Sequence, residues 1–286
     1  MTGTFSGRSG FAVTPGGVKT GRPAETGWLP DTPVDDTLLR QFLHNQAEVC
    51  DVIAEGFAGD VVRTPEVALA ASSCVVPYLN EALLFRPLHD GDDGLLDEIE
   101  RFFAASAAPS WVLLSAWPTP PLSGRGWQLV GHPAFVVRSP GASVPAPAPS
   151  AVTAAVRSAM TVDDVAAAER IFVEGYPIEE GAGRPGAALP GSLAGTAVSV
   201  RIASADGVDV AVGMGHVAHG CLNLCGAATL PAARRTGAWG ALVRARLQDA
   251  ADLPAVAFTS DYSRPGFEHL GFVSVLRFTM WMQSHR

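Results

Sequence analysis

The sequence predicts an α/β chain in which one unit occurs twice, and three observations lead there. "PSWVLLS" at 109–115 and "PAVAFTS" at 254–260 are each a proline followed by an apolar run ending in Ser, 145 positions apart. The same offset pairs Gly126-Trp127 with Gly271-Phe272 and Val130 with Val275, and a constant period marks a repeated structural unit. Between the halves stands "PGASVPAPAPSA", a Pro/Ala/Ser stretch that builds neither a helix nor a central strand. With 286 residues, 48% of them hydrophobic and 17% charged, the chain can bury a core in each half.

Taken in order, residues 1–30 are rich in Gly, Thr and Ser without periodicity and are expected to be a flexible leader. Residues 31–138 form the first unit, 139–151 the linker and 152–286 the second unit. The run "LLDEIERFFAASAA" at 95–108 has apolar residues at helical spacing and aligns with "ALVRARLQDAAD" and its flanks at 240–253. In the second unit, "MTVDDVAAAERIFVEGY" predicts a helix with Thr161 as its N-cap and Asp163 and Asp164 in the first turn. "VAVGMGHVAH" and "CLNLCGAAT" alternate as strands around a turn at Gly220. The stretch from Tyr176 to Thr196 is mostly small residues with Gly and Pro, and is expected to be a lid on the acceptor side.

Several functions are excluded early. A net charge of -8 argues against a nucleic-acid or anionic-membrane partner, and no apolar run reaches the length of a membrane span. Four cysteines are too few for a disulfide scaffold, and the N-terminus lacks the order of a secretory signal, so a reducing cytoplasmic location is expected. His216, His219, Cys221 and Cys225 suggest a metal at first sight. On a strand, however, cysteines four apart are separated by about 13 Å, from a rise of about 3.3 Å per residue. A zinc ion with thiolates at about 2.3 Å cannot take both. His216 and His219 have opposite parity and are expected on opposite faces, so no metal is expected.

The halves differ at the start of their second helix. "ARRTGAWG" places Arg234, Arg235 and Gly237 where the first half has "HDGDDG", with Asp90, Asp92 and Asp93. Free amides at a helix N-terminus, two guanidinium groups and a glycine allowing close approach suit a diphosphate. The first half should repel one.

"CGAATLPAARRTGAWGALVRARL" resembles the acyl-CoA-binding segment of the GNAT superfamily of N-acetyltransferases, in which a strand runs through an Arg/Gln-x-x-Gly-x-Gly/Ala turn into a helix. Arg234 takes the Arg/Gln place and Gly237 the first Gly place, while Trp239 stands where Gly or Ala is usual. "SRPGFEHLGF" and "VSVLRFTMWM" resemble the family's later helix and last strand. The likeness covers 152–286, and the first half looks like a degenerate copy. It implies tandem domains, each a mixed, mostly antiparallel sheet flanked by helices, and transfer of an acetyl group from acetyl-CoA, as co-substrate, to a primary amine. The most direct acceptor is a small molecule. A protein or peptide amine and a non-catalytic acyl-CoA sensor are the alternatives, and a homodimer is an expected assembly.

The resemblance assigns the acyl-CoA contacts to Ala227, Ala228, Thr229, Arg234, Arg235, Thr236, Gly237, Ala238, Trp239, Gly240 and Phe267. Phe267 occupies the place of the family's thiolate-protonating Tyr, which leaves Tyr262 as the nearest phenol to act as acid. Glu174, Glu180 and Asp261 are the candidate bases, because the strand carries Asn223 where some relatives have Glu.

Overall fold

Helix α1 (Leu38–Gly56) opens the part of the chain that the computed structural model describes, residues 37–146 and 154–285. Strands β1 (Asp60–Arg63), β2 (Val67–Ala71) and β3 (Glu81–Leu84), helix α2 (Asp93–Ala105), and strands β4 (Ser110–Ser115), β5 (Gln128–Gly131) and β6 (Ala134–Arg138) complete the first half. The second half begins with β7 (Ala155–Ser158), α3 (Val162–Gly175), β8 (Val198–Ala205), β9 (Val208–Ala218), β10 (Cys221–Asn223) and β11 (Ala227–Thr229). It ends with α4 (Ala238–Asp249), β12 (Ala255–Thr259), α5 (Arg264–His269), β13 (Val273–Arg277) and β14 (Thr279–Ser284). The expected leader and linker residues 147–151 lie outside the described residues.

The repeat is structural. Asp93 and Ala238, Ser110 and Ala255, Gln128 and Val273, and Ala134 and Thr279 begin matching elements, each pair 145 residues apart. Helix α2 forms where apolar Leu95, Leu96, Ile99 and Phe103 recur at helical spacing, and all four are buried. Helix α3 starts as its sequence predicts: Thr161 accepts the Asp164 amide, and the Asp164 carboxylate accepts the Thr161 amide in return.

The sheets do not divide where the sequence does. The first has the order β1-β2-β3-β4-β14-β5 and the second β13-β6-β12-β10-β9-β8-β7, with β11 paired to β9. Each half therefore sends its last strand into the other's sheet. Phe135 on β6 lies opposite Phe258 and Leu276, and Trp281 on β14 lies opposite Leu113 and Leu129. The two crossing segments touch where the Phe278 amide donates to the Pro133 carbonyl at 2.9 Å. A shared core forms beneath them. Phe42 of α1 has its ring centroid 5.0 Å from Phe135 and 5.6 Å from Phe278.

Two local expectations are corrected. His219 sits in the turn after β9 with φ of 51°, which removes it from the strand's alternation. Its Nε2 lies 3.0 Å from the Glu48 carboxylate, and His216 Nε2 lies 3.2 Å from the same oxygen, so both rings face α1. The segment from Tyr176 to Thr196 is anchored rather than set as a lid. The Glu169 carboxylate, on α3, accepts the amides of Gly186, Ala188 and Leu189 at 2.6, 2.7 and 3.1 Å. Ala188, Leu189 and Leu193 then pack in a core with Ile53 and Val76 of the first half.

Candidate active site

The second sheet splits at its centre. β10 runs parallel to β12 at Leu222 and Asn223, and the Leu224 amide still reaches the Val256 carbonyl at 2.8 Å. Beyond it the chain bulges, with the carbonyls of Cys225 and Gly226 both accepting the Met214 amide at 3.1 and 3.0 Å. Gly226 has φ of 44°, and a Cβ there would stand 2.3 Å from the Met214 side chain. β11 resumes on β9 alone, so it and β12 diverge. The opening holds a cavity of about 340 Å³, walled by Cys225, Gly226 and Ala227 on one side and Thr259 and Ser260 on the other. In the first sheet β3 stays paired to β4 through Leu83 and Leu114, and no such split forms.

At the outer end of β11 the chain turns through Pro231–Ala233 into the N-terminus of α4. Gly237, with φ of 99°, is its N-cap, and Arg235 is also left-handed at 66°. Among the described residues no acceptor takes the amides of Arg235, Thr236 or Gly237, and those of the first helical turn have no intrahelical partner. The Thr229 and Thr259 hydroxyls are likewise buried without a partner. The free amides at the start of α4 suit an anionic group. Thr236 closes the turn through the Ala233 carbonyl at 2.7 Å. Arg234 reaches the Gly175 carbonyl at 2.9 Å, tying the end of α3 to this turn. At the matching place in the first half, Asp92 is bound to Arg86 at 2.7 Å, and Arg125 pairs with Asp93 and Glu100 at 3.1 and 2.9 Å.

Trp239 is accommodated by Gly266, whose Cβ position lies 2.8 Å from the indole. Its ring meets Phe267 edge-on at 4.9 Å, and both line the cavity. Ala227 lines the cavity as well, whereas Ala228 and Ala238 are buried and offer only backbone groups. Gly240 stands in the first turn of α4.

The four candidate acids and bases separate in space. Asp261 is at the cavity rim, but Arg277 at 2.7 Å and Arg264 at 3.4 Å hold it, and the Arg277 hydrogen bond keeps its carboxyl below the ordinary range. Tyr262 is fully exposed and outside the cavity, because the turn into α5 points it to solvent. Glu174 lines a second cavity of about 880 Å³ on the outer side of α3, together with Arg170, Glu179 and Arg184. Glu180 is exposed near that cavity and lines neither.

The cavity contains groups that sequence reasoning missed. Tyr176, at the end of α3, and Tyr78, from the first half, line its floor, their ring centroids 5.8 Å apart. Burial raises the Tyr176 hydroxyl, while the Ala227 amide acts against that rise. Burial pushes Tyr78 well above its ordinary range, with Tyr176 adding to the effect. Burial also pushes the Cys225 thiol up to about 12. His132 and Met280 complete the wall that the two crossing segments supply. Tyr176 ends a legible helix and was open to discovery from sequence. Tyr78 and His132 had no local signal pointing to this half.

No protein-family profile matches the chain, and no curated protein sequence does. Solved structures do. A GCN5-related N-acetyltransferase from Kribbella flavida aligns with a TM-score of 0.55 at 18% identity, over 84% of this chain and 96% of that one. A functionally unknown conserved protein from Staphylococcus epidermidis aligns at 0.56 and 9% identity, over 80% and 96%. A Drosophila protein aligns at 0.51 and 16%, over 77% and 73%. At these identities the likeness is one of fold. The split parallel pair, the helix N-terminus at its outer end and the 145-residue repeat thus belong to one architecture: the chain has the GNAT fold twice in tandem, with its second copy open at the centre and its first copy closed.

Proposed function

We propose that the chain transfers the acetyl group of acetyl-CoA to the primary amine of a small molecule, at the split in the second sheet. The observation that carries this reading is the split in the second sheet, whose cavity Ala227 and Thr259 line, together with the free amides of Arg235, Thr236 and Gly237 at the α4 N-terminus. The diphosphate would rest on those amides at the α4 N-terminus. The pantetheine arm would follow the unpaired edge of β11, which brings the thioester into the cavity.

There, the amine nitrogen attacks the thioester carbonyl, whose oxygen gains charge beside the unpaired edge of β11. The carbon–sulfur bond breaks, and the departing thiolate needs a proton. In this reading Tyr176 donates it, since it lines the same cavity. Tyr176 thereby takes the role first expected of Tyr262. Tyr78 and His132 of the first half, with Met280 of the crossing strand β14, wall the side on which we place the acceptor, and a cavity of about 340 Å³ suits a small amine better than an extended peptide.

A second reading, an acyl-CoA sensor without turnover, draws on one observation: Asp261, the cavity's carboxylate, is engaged by Arg277. Release of free thiol from acetyl-CoA with a panel of amines separates the two. Amine-dependent release supports transfer. CoA binding without release with any amine supports the sensor.

A further inference from the structure

We infer that His132, from the first half of the chain, is the base that takes the acceptor amine's proton at the cleft of the second half. This inference rests on the acetyl-transfer reading and names the group which that reading lacks. Its support is geometric. His132 and Pro133 are the whole connection between β5 and β6, at the point where the two halves exchange strands. Three contacts hold the connection: Phe278 N donates to Pro133 O at 2.9 Å, Arg277 donates to His132 O at 2.7 Å, and His132 Nδ1 lies 3.2 Å from Phe278 O. A carbonyl oxygen only accepts, so Nδ1 carries the hydrogen of the neutral ring and the lone pair belongs to Nε2. The ring is thereby fixed in the tautomer that a base requires, on the wall of the cavity that also exposes Ala227 and Tyr176.

The other titratable groups on that wall do not compete. Tyr78, Tyr176 and Cys225 are all shifted by burial toward keeping their protons. Asp261 is bound by Arg277 of β13 and Arg264 of α5, which hold its carboxyl down. Among the described residues these four are the other titratable groups lining the cavity, and the two arginines reach it through Asp261. Imidazole is the side chain that ordinarily gains and loses a proton near neutral pH.

In the reaction, Nε2 takes one N–H proton from the amine as the carbon–nitrogen bond forms. The electron pair of the breaking carbon–sulfur bond leaves on sulfur, which Tyr176 protonates. The imidazolium then gives its proton to solvent, from which the tyrosinate is restored. The net change is amine plus thioester to amide plus thiol.

The test is His132→Asn in the full chain, because the Asn amide can still donate to Phe278 O. The expected result is a loss in kcat of about a hundredfold or more, with CoA affinity unchanged. Added imidazole should restore part of the rate. Unchanged kcat would overturn the assignment. If that variant does not fold, His132→Gln is the second: a loss in kcat that imidazole partly restores supports the base, and an unchanged kcat overturns it. Failure of the acetyl-transfer reading has a different signature, the absence of amine-dependent thiol release from the unaltered protein, and removes the inference with it.

Discussion

At the scale of single residues, charge placement decides both binding and stability. Arg234 and Arg235 stand at the α4 N-terminus beside amides that have no acceptor among the described residues. Changing both to Glu should weaken CoA binding at least tenfold by calorimetry, since a charge-assisted hydrogen bond contributes about 1.5 to 3 kcal/mol and a tenfold change is about 1.4 kcal/mol. Unchanged affinity in the folded double variant would remove the phosphate site from α4. Glu81 makes a different prediction. It is 1% exposed, one of its oxygens has no partner, and burial raises its carboxyl to about 8. The folded state thus keeps a proton that the unfolded chain releases above about 4.5. Its contribution to stability is complete below that pH and is lost as the pH rises towards 8, by about 1.4 kcal/mol per unit. Glu81→Gln should therefore raise the melting temperature at pH 8, have little effect at pH 4.5, and flatten the slope between. Equal effects at both pH values would show that Glu81 is ionised in the folded protein.

At the scale of elements, the second half is held open by backbone devices and held together by one buried carboxylate. The bulge at Cys225 and Gly226 ends the pairing of β10 with β12, which is why the cavity begins there and has no counterpart between β3 and β4. Glu169 accepts three amides of the segment that joins α3 to β8, drawing Leu189 and Leu193 into the core shared with α1. Glu169→Ala leaves these donors unpaired and should cost on the order of 3 kcal/mol, read as a lower denaturation midpoint. The conservative Glu169→Gln should recover part of the loss. A stability loss below about 0.5 kcal/mol, as for an ordinary surface change, would mean that apolar packing alone seats the segment. Helix α3 was legible because Thr161 and Asp164 cap it locally. The seating of the following segment was not, since its partners come from α1 and from Val75 and Val76, a hundred residues away.

For the whole molecule, strand exchange makes the halves inseparable. Without β6, both β12 and β13 would lose a hydrogen-bonded neighbour, and the paired edge of an apolar strand would be open to solvent. Residues 152–286 produced alone should therefore aggregate or remain unfolded, as judged by gel filtration and circular dichroism. A soluble, cooperatively melting fragment would show that the second half can take back its own β14. The intact chain should bind one CoA. The first half keeps β3 and β4 paired and carries Asp92 and Asp93 at its helix N-terminus, where a diphosphate would meet carboxylates, so calorimetry should count a single equivalent. Two equivalents would place a second site in the closed copy. Among the described residues no helix is long and apolar enough to cross a membrane.

The amino-acid sequence by itself determined the repeat, the matching helices and strands, and the chemical difference between the two helix N-termini. These rest on spacing, caps and turn residues, whose effects are exerted by near neighbours along the chain. Tertiary structure alone decided that β6 and β14 change places, that both His216 and His219 meet Glu48, and that Tyr78 and His132 reach a cleft formed by the other half. β6 and β14 are short apolar strands at the same place in each repeat, and their backbones offer either sheet the same hydrogen bonds. The choice between sheets depends on the two-residue connection at His132 and Pro133 and on packing around Phe42, Phe135 and Phe278, contacts between segments far apart in the chain that no local pattern encodes.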